Sequence, residues 1–408
     1  MKLLKNRNFS LMILGQIISL FGNSILRFSI SLYILEESGS AAIFATILSI
    51  SILPTILLSP IGGILADRVS RKHIMLVLDF ITSAIIFGFS LFALQGNVPI
   101  FIIATVMILL SIIQACYQPS VQSSVPLLVE SNELVTANGL VVQINALSTL
   151  LGPILGGILF SFIPFPNLLW IAAGSFFFSA IIECIMKIPY QRMERKENVI
   201  KTSLSDIKEG MHFIMKVKPT LFGLLIILAL LNMVLSSLLT VGLPVISNIT
   251  LQLPPIFYGW LEASIAIGSI VGSIALSVFF KKTTIKESYK FLLFGSIAIS
   301  LIGVALLFKD SAYMSYALVL FASVLSMAFA AIFNILAQTY LQQATPEHLL
   351  GKVSSFVTMI VMCSYPIGQS LYGYFFEVFS DQQFFIIFIA SILSIIISLQ
   401  TKRKLKDI

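Results

Sequence analysis

Long apolar segments follow one another along the whole chain, and they limit its fold more than any other feature. A bilayer core about 30 Å thick is crossed by about 20 helical residues, and each segment is close to that length or longer. Segments of this length are incompatible with the short alternating strands of a barrel. We therefore predict an all-α membrane protein with twelve transmembrane helices. The predicted spans are residues 9–35, 42–66, 73–95, 99–121, 138–162, 167–186, 220–246, 257–280, 289–308, 313–337, 354–378 and 384–400.

Composition excludes the main classes of soluble protein. Of the 408 residues, 58% are apolar and 11% are charged, against roughly 25% charged residues in an ordinary soluble domain. A soluble fold cannot hide so much apolar surface. The net charge of +7 comes from short loops, so we predict a lipid bilayer and no nucleic acid as partner. The sequence has no phosphate-binding loop, catalytic triad or group of metal ligands, and we predict no catalytic residues, no cofactor and no metal site.

Lys and Arg are distributed unevenly between alternate loops, which sets the orientation of the chain. With the N-terminus in the cytoplasm, all but two of the 25 basic residues fall in cytoplasmic segments. The exceptions are Lys309 in an outer loop and Arg27 inside a span. We predict a multi-pass protein of the cell (cytoplasmic or inner) membrane with both termini in the cytoplasm.

The longest polar connector, residues 187–219, divides the chain into an N-terminal half (1–186) and a C-terminal half (220–408) of six predicted spans each. Apolar residues recur at helical spacing inside this cytoplasmic connector and predict an amphipathic helix at the membrane surface. These residues are Leu204, Ile207, Met211 and Ile214. Repeated halves with a binding site between them are a common plan among transporters.

The connector between the second and third spans reads GILADRVSRK from Gly63 to Lys72. It resembles the signature loop of the major facilitator superfamily, G-x-L-A-D-R-x-G-R-K, with Ser70 in place of the usual glycine. The resemblance implies the major facilitator fold, in which two six-helix halves are related by pseudo-two-fold symmetry. It also implies a charge network that gates conformational switching at the cytoplasmic face. The residues that we assign to this gating motif are Gly63, Asp67, Arg68, Arg71, Lys72 and, two turns into the third span, Asp79.

A second motif lies in the fifth span. It resembles the pattern G-x8-G-x3-G-P-x2-G-G of export-type members of the superfamily, with Ser148 replacing one glycine. The similarity implies proton-coupled efflux rather than uptake. Pro153 removes a backbone hydrogen bond and is expected to bend the helix. The residues that match this antiporter motif are Gly139, Gly152, Pro153, Gly156 and Gly157.

Within the superfamily, the chain is most similar to the bacterial drug:proton antiporter group that includes macrolide-efflux proteins. The resemblance covers the whole chain and is stronger in the first half. It is carried by Asn8-Phe9-Ser10, Leu14-Gly15-Gln16, Ser19-Leu20-Phe21-Gly22-Asn23 and Ser38-Gly39-Ser40-Ala41. The fourth span lacks the arginine that helps to couple protons in many drug antiporters, so any coupling apparatus must lie elsewhere.

Charged residues inside spans cost about 2.5–3.5 kcal/mol each when central, and they mark candidate sites. Glu262 lies in the outer half of the eighth span. An apolar environment favours the neutral form of a carboxylic acid, so Glu262 is the candidate proton carrier; its alternative interpretation is an interfacial carboxylate with access to water. Arg27 either faces the cavity and binds substrate or a carboxylate, or it extends to the outer interface or pairs structurally. Glu183 and Glu377 lie near span ends and are interpreted as interfacial.

The resemblance also implies that the first, fourth, seventh and tenth spans line a central cavity. Amides and aromatic rings without a strong cluster of charge suit a neutral or amphipathic organic substrate. The alternative role for these side chains is helix packing. The cavity candidates are Gln16, Asn23, Arg27, Gln114, Tyr117, Asn232, Ser236, Phe329, Phe333 and Asn334.

We therefore predict a monomeric secondary active transporter that works by alternating access. Its expected activity is export of hydrophobic or amphipathic small molecules, as in drug efflux, in exchange for protons. One alternative is export of a specific endogenous metabolite, siderophore or lipid-like compound. An alternative of another class is a non-transporting receptor or immunity-type protein on the same scaffold.

Overall fold

The computed structural model describes residues 6–96, 98–130, 133–189, 208–280 and 282–405. Regular secondary structure within these ranges is helical, and twelve helices are long and apolar enough to cross a membrane. The predicted fold class is therefore confirmed. The helices are α1 (Arg7–Ser38), α2 (Ala41–Arg68), α3 (Arg71–Ala93), α4 (Ile100–Leu128), α5 (Leu134–Phe162), α6 (Phe165–Ile185), α7 (Pro219–Thr250), α8 (Pro255–Phe279), α9 (Ser288–Leu307), α10 (Ala312–Ala344), α11 (Glu347–Val378) and α12 (Gln383–Lys404).

Four helices extend well beyond their apolar segments. On the sides that face the polar connectors, α4 continues to Leu128, α5 begins at Leu134, α10 continues to Ala344 and α11 begins at Glu347. Helical hydrogen bonding satisfies the backbone whether or not the side chains are apolar. Hydropathy therefore locates the part of a helix that suits lipid, while the helix itself can run on through a polar sequence.

The chain divides into two compact units. In the first unit, α1 packs against α5 and α6, and α3 packs against α4 and α6. In the second unit, α10 packs against α8 and α9, α9 also packs against α12, and α7 packs against α11. The division differs from a cut at the central connector in one respect, because the segment Gly39–Ser49 groups with the second unit.

Contacts with α11 explain why the first turns of α2 belong to the second unit. Ser49 Oγ donates to the carbonyl of Pro366 at 3.0 Å, and Ser370 Oγ donates to Ser49 Oγ at 3.0 Å. Glu377 accepts a hydrogen bond of 3.0 Å from Ser40 Oγ. Gly373 permits this approach, because a side chain there would collide with Ala45 and with the backbone of α2.

The predicted amphipathic helix of the connector lies partly outside the described residues, which resume at 208. Residues 208–212 are helical and continue into a π-helical turn, Phe213–Val217. Ile214 is fully buried, whereas Met211 is 39% exposed. Glu209 pairs with Lys352 Nζ at 2.6 Å, so this part of the connector is anchored to the start of α11.

Helix α7 is wound unevenly. It contains π-helical segments at Asn232–Ser236 and Val245–Thr250. Ser237 Oγ donates to the carbonyls of Asn232 at 3.1 Å and of Tyr365 at 3.0 Å. A π-turn inserts an extra residue into the helix and rotates the face that follows it, so α-helical spacing alone does not give the faces of α7.

Candidate functional site

A set of polar side chains lies buried between α1, α3, α4 and α6 of the first unit, and we call it the first polar cluster. Its members are Ser19, Asp79, Tyr117, Ser179 and Glu183. Ser19 Oγ donates to Asp79 Oδ2 at 2.8 Å and lies 2.7 Å from Ser179 Oγ. Ser179 Oγ also donates to the carbonyl of Gly15 at 3.2 Å. Hydroxyl groups of two helices therefore connect Asp79 to the backbone of α1.

The second carboxyl group of the first polar cluster belongs to Glu183, which is 1% exposed. Tyr117 donates its hydroxyl hydrogen to Glu183 Oε1 at 3.0 Å. The other oxygen, Oε2, is buried and has no hydrogen-bond partner among the described residues. Asp79 is 2% exposed and lies close enough to Glu183 for their charges to interact. Two acidic groups thus share one buried environment.

A cavity of about 20 Å³ opens beside the first polar cluster. That volume is about the size of one water molecule. Three predicted cavity residues line it, Asn23, Gln114 and Tyr117, together with Ser19 and Asp79. The structure therefore brings part of the predicted polar lining together inside the first unit.

Arg27 and Gln16 lie on the same face of α1 as Asn23. Arg27 Nε donates to Asn23 Oδ1 at 3.1 Å, and its guanidinium also reaches Ser111 Oγ at 3.4 Å. Arg27 is thus held between α1 and α4. Gln16 is 1% exposed, and both polar atoms of its amide lack a partner among the described residues.

Among the described residues of the second unit, Glu262 has a buried carboxylate oxygen, in a different setting. We call the residues around it the second polar cluster: Thr240 of α7, Tyr258 and Glu262 of α8, and Tyr365 and Gln369 of α11. Tyr258 lies one turn before Glu262 and hydrogen-bonds to it. Thr240 bonds to the Tyr365 hydroxyl, which also bonds to Gln369. Glu262 Oε2 is buried without a hydrogen-bond partner among the described residues.

Of the remaining cavity candidates, those of α10 differ from expectation. Phe329 packs against Phe294 of α9, with ring centroids 5.7 Å apart, and Phe333 is 1% exposed. Phe333 lies in the interior of the second unit, Phe329 is half-buried, and Asn334 is exposed. Asn232 and Ser236 bound a π-helical segment of α7 and are half-buried.

An apolar cavity of about 350 Å³ lies between α7, α11 and α12 of the second unit. Its walls are aliphatic and aromatic, and include Met233, Tyr372, Phe375 and Ile389. The volume falls within the usual range of small-molecule sites. Such a lining favours a hydrophobic molecule over a charged one.

The predicted gating motif spans the junction of α2 and α3. Gly63 and Asp67 lie in α2, and the Asp67 side chain is outside the described part of the structure. Arg68 ends α2, Arg71 begins α3, and Lys72 Nζ donates to the carbonyl of Cys184 at 2.7 Å. The assignment of Asp79 to this motif requires a correction, because the Asp79 carboxylate accepts a hydrogen bond from Ser19 in the core of the first unit.

The antiporter motif brings α5 against α1. A side chain at Gly152 would collide with Ser24, and one at Gly156 would lie 2.8 Å from the ring of Phe28. Ser24 Oγ donates to the carbonyl of Ser148 at 3.1 Å. Pro153 and Gly157 are buried in the same helix, whereas Gly139 is exposed and has open space around it. The close approach therefore depends on the later part of the motif.

Sequence reasoning missed Glu183, which we interpreted as interfacial and which is buried. A serine one turn before it in an apolar helix was a usable signal, because Ser179 and Glu183 share a face of α6. Tyr258 and Tyr365 were missed as partners of Glu262. Among the described residues, no three His, Cys, Asp or Glu side chains come together as a metal-binding group.

Comparison with known proteins places the chain in a family. A profile of the Major Facilitator Superfamily matches residues 12–369. Macrolide efflux protein A of Streptococcus pyogenes is 24% identical over 365 residues, which are 88% of this chain and 87% of the relative. Multidrug efflux pump Tap of Mycolicibacterium fortuitum is 20% identical over 358 residues, which are 86% of this chain and 85% of the relative.

Solved structures show the same fold. An inward-facing bacterial homologue of the iron transporter ferroportin has a TM-score of 0.73 at 18% identity, covering 97% of this chain and 98% of that chain. The family profile covers most of the chain, and the described residues contain twelve helices that can cross a membrane. The chain therefore belongs to the major facilitator superfamily and is a multi-pass membrane transporter of small molecules.

Proposed function

We propose that this transporter exports hydrophobic or amphipathic small molecules in exchange for protons, by alternating access. It acts as a monomer in the cell membrane, with both termini in the cytoplasm. The excess of Lys and Arg in the segments assigned to the cytoplasm supports this orientation. The names of the macrolide and multidrug efflux relatives support the direction of transport and the class of substrate.

The observation that carries the proton coupling is the setting of Glu262. Its Oε2 atom is buried without a hydrogen-bond partner among the described residues, and Tyr258 bonds to the carboxyl group. An ionised carboxylate in an apolar environment is costly, whereas the protonated form carries no charge. Glu262 therefore takes up a proton when it is enclosed and releases it when water reaches it. That exchange can drive export.

The apolar cavity of the second unit supports the class of substrate. Its lining of rings and aliphatic side chains, with Tyr372 and Phe375 among them, offers hydrophobic contact and few polar partners. In the first unit, Asn23 and Ser111 hold Arg27 in place. We propose Arg27 as a polar contact for substrates that carry an acceptor group. The gating role of Asp67, Arg68 and Arg71 remains part of the proposal.

Export by reconstituted protein tests this function. Proteoliposomes with an imposed proton gradient are loaded with a labelled macrolide or a cationic amphipathic dye. We expect gradient-driven transport by the wild type, collapse of that transport on addition of a protonophore, and its loss in Glu262→Gln. The glutamine keeps the shape of the side chain and cannot carry a proton.

Asp310→Asn is the matched control, because Asp310 is an exposed carboxylate outside the membrane spans. It should transport like the wild type. Transport that ignores the protonophore would contradict proton coupling. Protonophore-sensitive transport by Glu262→Gln would remove Glu262 as the carrier. Absence of transport for every hydrophobic probe would favour a narrow endogenous substrate.

A further inference from the structure

We propose that the first polar cluster binds a single dehydrated hard cation, Ca²⁺ or Na⁺, through carboxylate and neutral oxygen atoms. The ligands are Asp79 and Glu183, with Gln16 and the hydroxyls of Ser19 and Ser179. This site is separate from Glu262 and does not depend on the proposed export activity.

The first argument is charge. Asp79 and Glu183 are 2% and 1% exposed, and two neighbouring buried carboxylates are strongly unfavourable unless they are neutralised. Two nearby basic side chains are engaged elsewhere. Lys72 donates to the carbonyl of Cys184, and Arg27 donates to Asn23. A bound cation supplies the positive charge that these two side chains do not.

The second argument is the state of the remaining oxygen atoms. Tyr117 donates to one oxygen of Glu183. Ser19 donates to one oxygen of Asp79. Such bonds favour the ionised forms of these carboxyl groups. Glu183 Oε2 has no hydrogen-bond partner among the described residues, and a single proton placed there would still leave the negative charge of Asp79 buried beside it. A cation satisfies this oxygen directly.

The third argument is Gln16, whose amide is buried with neither atom hydrogen-bonded among the described residues. Residues 16, 19, 20 and 23 lie on one face of α1, and the last three line the small cavity together with Asp79. A side chain at the neighbouring Gly15 would lie 3.8 Å from Glu183 Cγ. Gln16 thus shares a face of α1 with Ser19 of the first polar cluster, and its Oε1 can serve as a neutral ligand.

The chemistry of the donors and the size of the cavity select the ion. Carboxylate, amide and hydroxyl oxygens are hard ligands. The cavity of about 20 Å³ is lined by Ser19 and Asp79 of the ligand set and has room for about one water-sized particle. Mg²⁺ usually keeps several waters of its shell, and it is therefore excluded. Ca²⁺ balances two carboxylates fully, whereas Na⁺ balances one.

Direct binding tests the proposal. Full-length protein is purified in detergent, stripped with a chelator and held at constant ionic strength with choline chloride. Binding of radioactive Ca²⁺ and, separately, radioactive Na⁺ is measured at equilibrium. We expect saturable binding of one of the two ions at about one per protein, with no competition by Mg²⁺. Asp79→Asn and Glu183→Gln should each weaken it at least tenfold, and Asp310→Asn should leave it unchanged.

Gln16→Leu is a further variant, which keeps both carboxyl groups and should weaken binding several-fold. Gel filtration establishes that each variant is folded. The proposal is overturned if neither ion binds saturably, if Mg²⁺ competes equally, or if both carboxylate variants bind like the wild type. None of these measurements uses a transported substrate, so their outcome is independent of the export experiment.

Discussion

The two polar clusters place carboxyl groups among buried tyrosines, yet they differ in number and in neighbours. The first cluster holds Asp79 and Glu183 between α1, α3, α4 and α6, connected by serine hydroxyls. The second holds Glu262 alone, with Tyr258 as its partner in the same helix. Each cluster leaves one carboxylate oxygen without a partner among the described residues.

The difference in number determines which ligand each cluster can take. A single buried carboxylate becomes neutral with one proton, whereas a facing pair needs two protons or a cation to remove its charge. Serine hydroxyls and an amide add neutral ligands to the first cluster, and tyrosine hydroxyls surround the acid of the second. The chain therefore separates a site suited to proton exchange from one suited to holding an ion.

The prediction with the largest expected effect distinguishes the two clusters by measuring the transport activity of variants. In proteoliposomes, Glu262→Gln should lower the gradient-driven part of export about 100-fold. Burying an ionised carboxylate costs about 2.5–3.5 kcal/mol, and protonation removes that cost. Glutamine is never ionised, so the proton gradient can no longer act through this side chain. Glu183→Gln should remain stimulated by the gradient and inhibited by a protonophore. The reverse pattern would place proton coupling in the first unit.

Removing the hydroxyl of Tyr117 tests how much the first cluster contributes to the stability of the protein. Tyr117→Phe leaves both oxygens of Glu183 without a donor among the described residues and should lower the free energy of unfolding by about 1–3 kcal/mol. Reversible unfolding in mixed detergent measures the change. Tyr374→Phe is the control, since Tyr374 is 59% exposed. A loss no larger than that of the control would show that the hydrogen bond to Glu183 contributes little.

A double-mutant cycle tests whether Asp79 and Glu183 act as one site. Each of Asp79→Asn and Glu183→Gln removes the repulsion between the carboxyl groups, so their effects on stability in cation-free buffer should not add. The interaction free energy should be about 1 kcal/mol, within the range of 0.5–3 for contacting residues. Purely additive effects would mean that the two groups are independent.

The smallest expected effect compares two buried glutamines. Gln369 of the second cluster bonds to Tyr365, and its Oε1 has no partner within the described part of the chain. Gln369→Leu loses one hydrogen bond and removes one unsatisfied atom, and it should change the free energy of unfolding by less than about 0.5 kcal/mol. Gln16→Leu should behave differently, with a gain in stability without cations that shrinks when Ca²⁺ or Na⁺ is added. Equal responses of both variants to cations would contradict the assignment of Gln16 as a ligand.

Much of the fold could be predicted from the sequence, because the bilayer imposes its requirement on each segment separately. The ends of α4, α5, α10 and α11 that face the polar connectors could be placed only loosely, since helices that continue into polar connectors carry no hydropathy signal. The π-helical turns of α7 were missed for a related reason: they alter the winding of the helix without altering its composition.

The candidate site could be predicted only in part. Glu262 was identifiable because a lone carboxylate in an apolar span is rare. The polar side chains of Asn23, Gln114 and Tyr117 were identifiable because they interrupt apolar segments. Phe329 and Phe333 were assigned to a cavity and instead pack within the second unit. The sequence does not distinguish these roles, because an aromatic residue in a span can face lipid, pack in the core or contact a ligand.

The sequence by itself determined that this chain spans a membrane twelve times and that the few charged side chains inside its spans, Arg27 and Glu262 among them, are candidate functional groups. Both facts follow from the cost of placing charge and backbone polar groups in hydrocarbon. Only the tertiary structure decided which buried groups meet. Asp79 and Glu183 lie in helices that are far apart in sequence, and the packing of α3 and α6 around α1 brings them together. No local pattern records that contact, because it depends on which faces of the helices pack against one another.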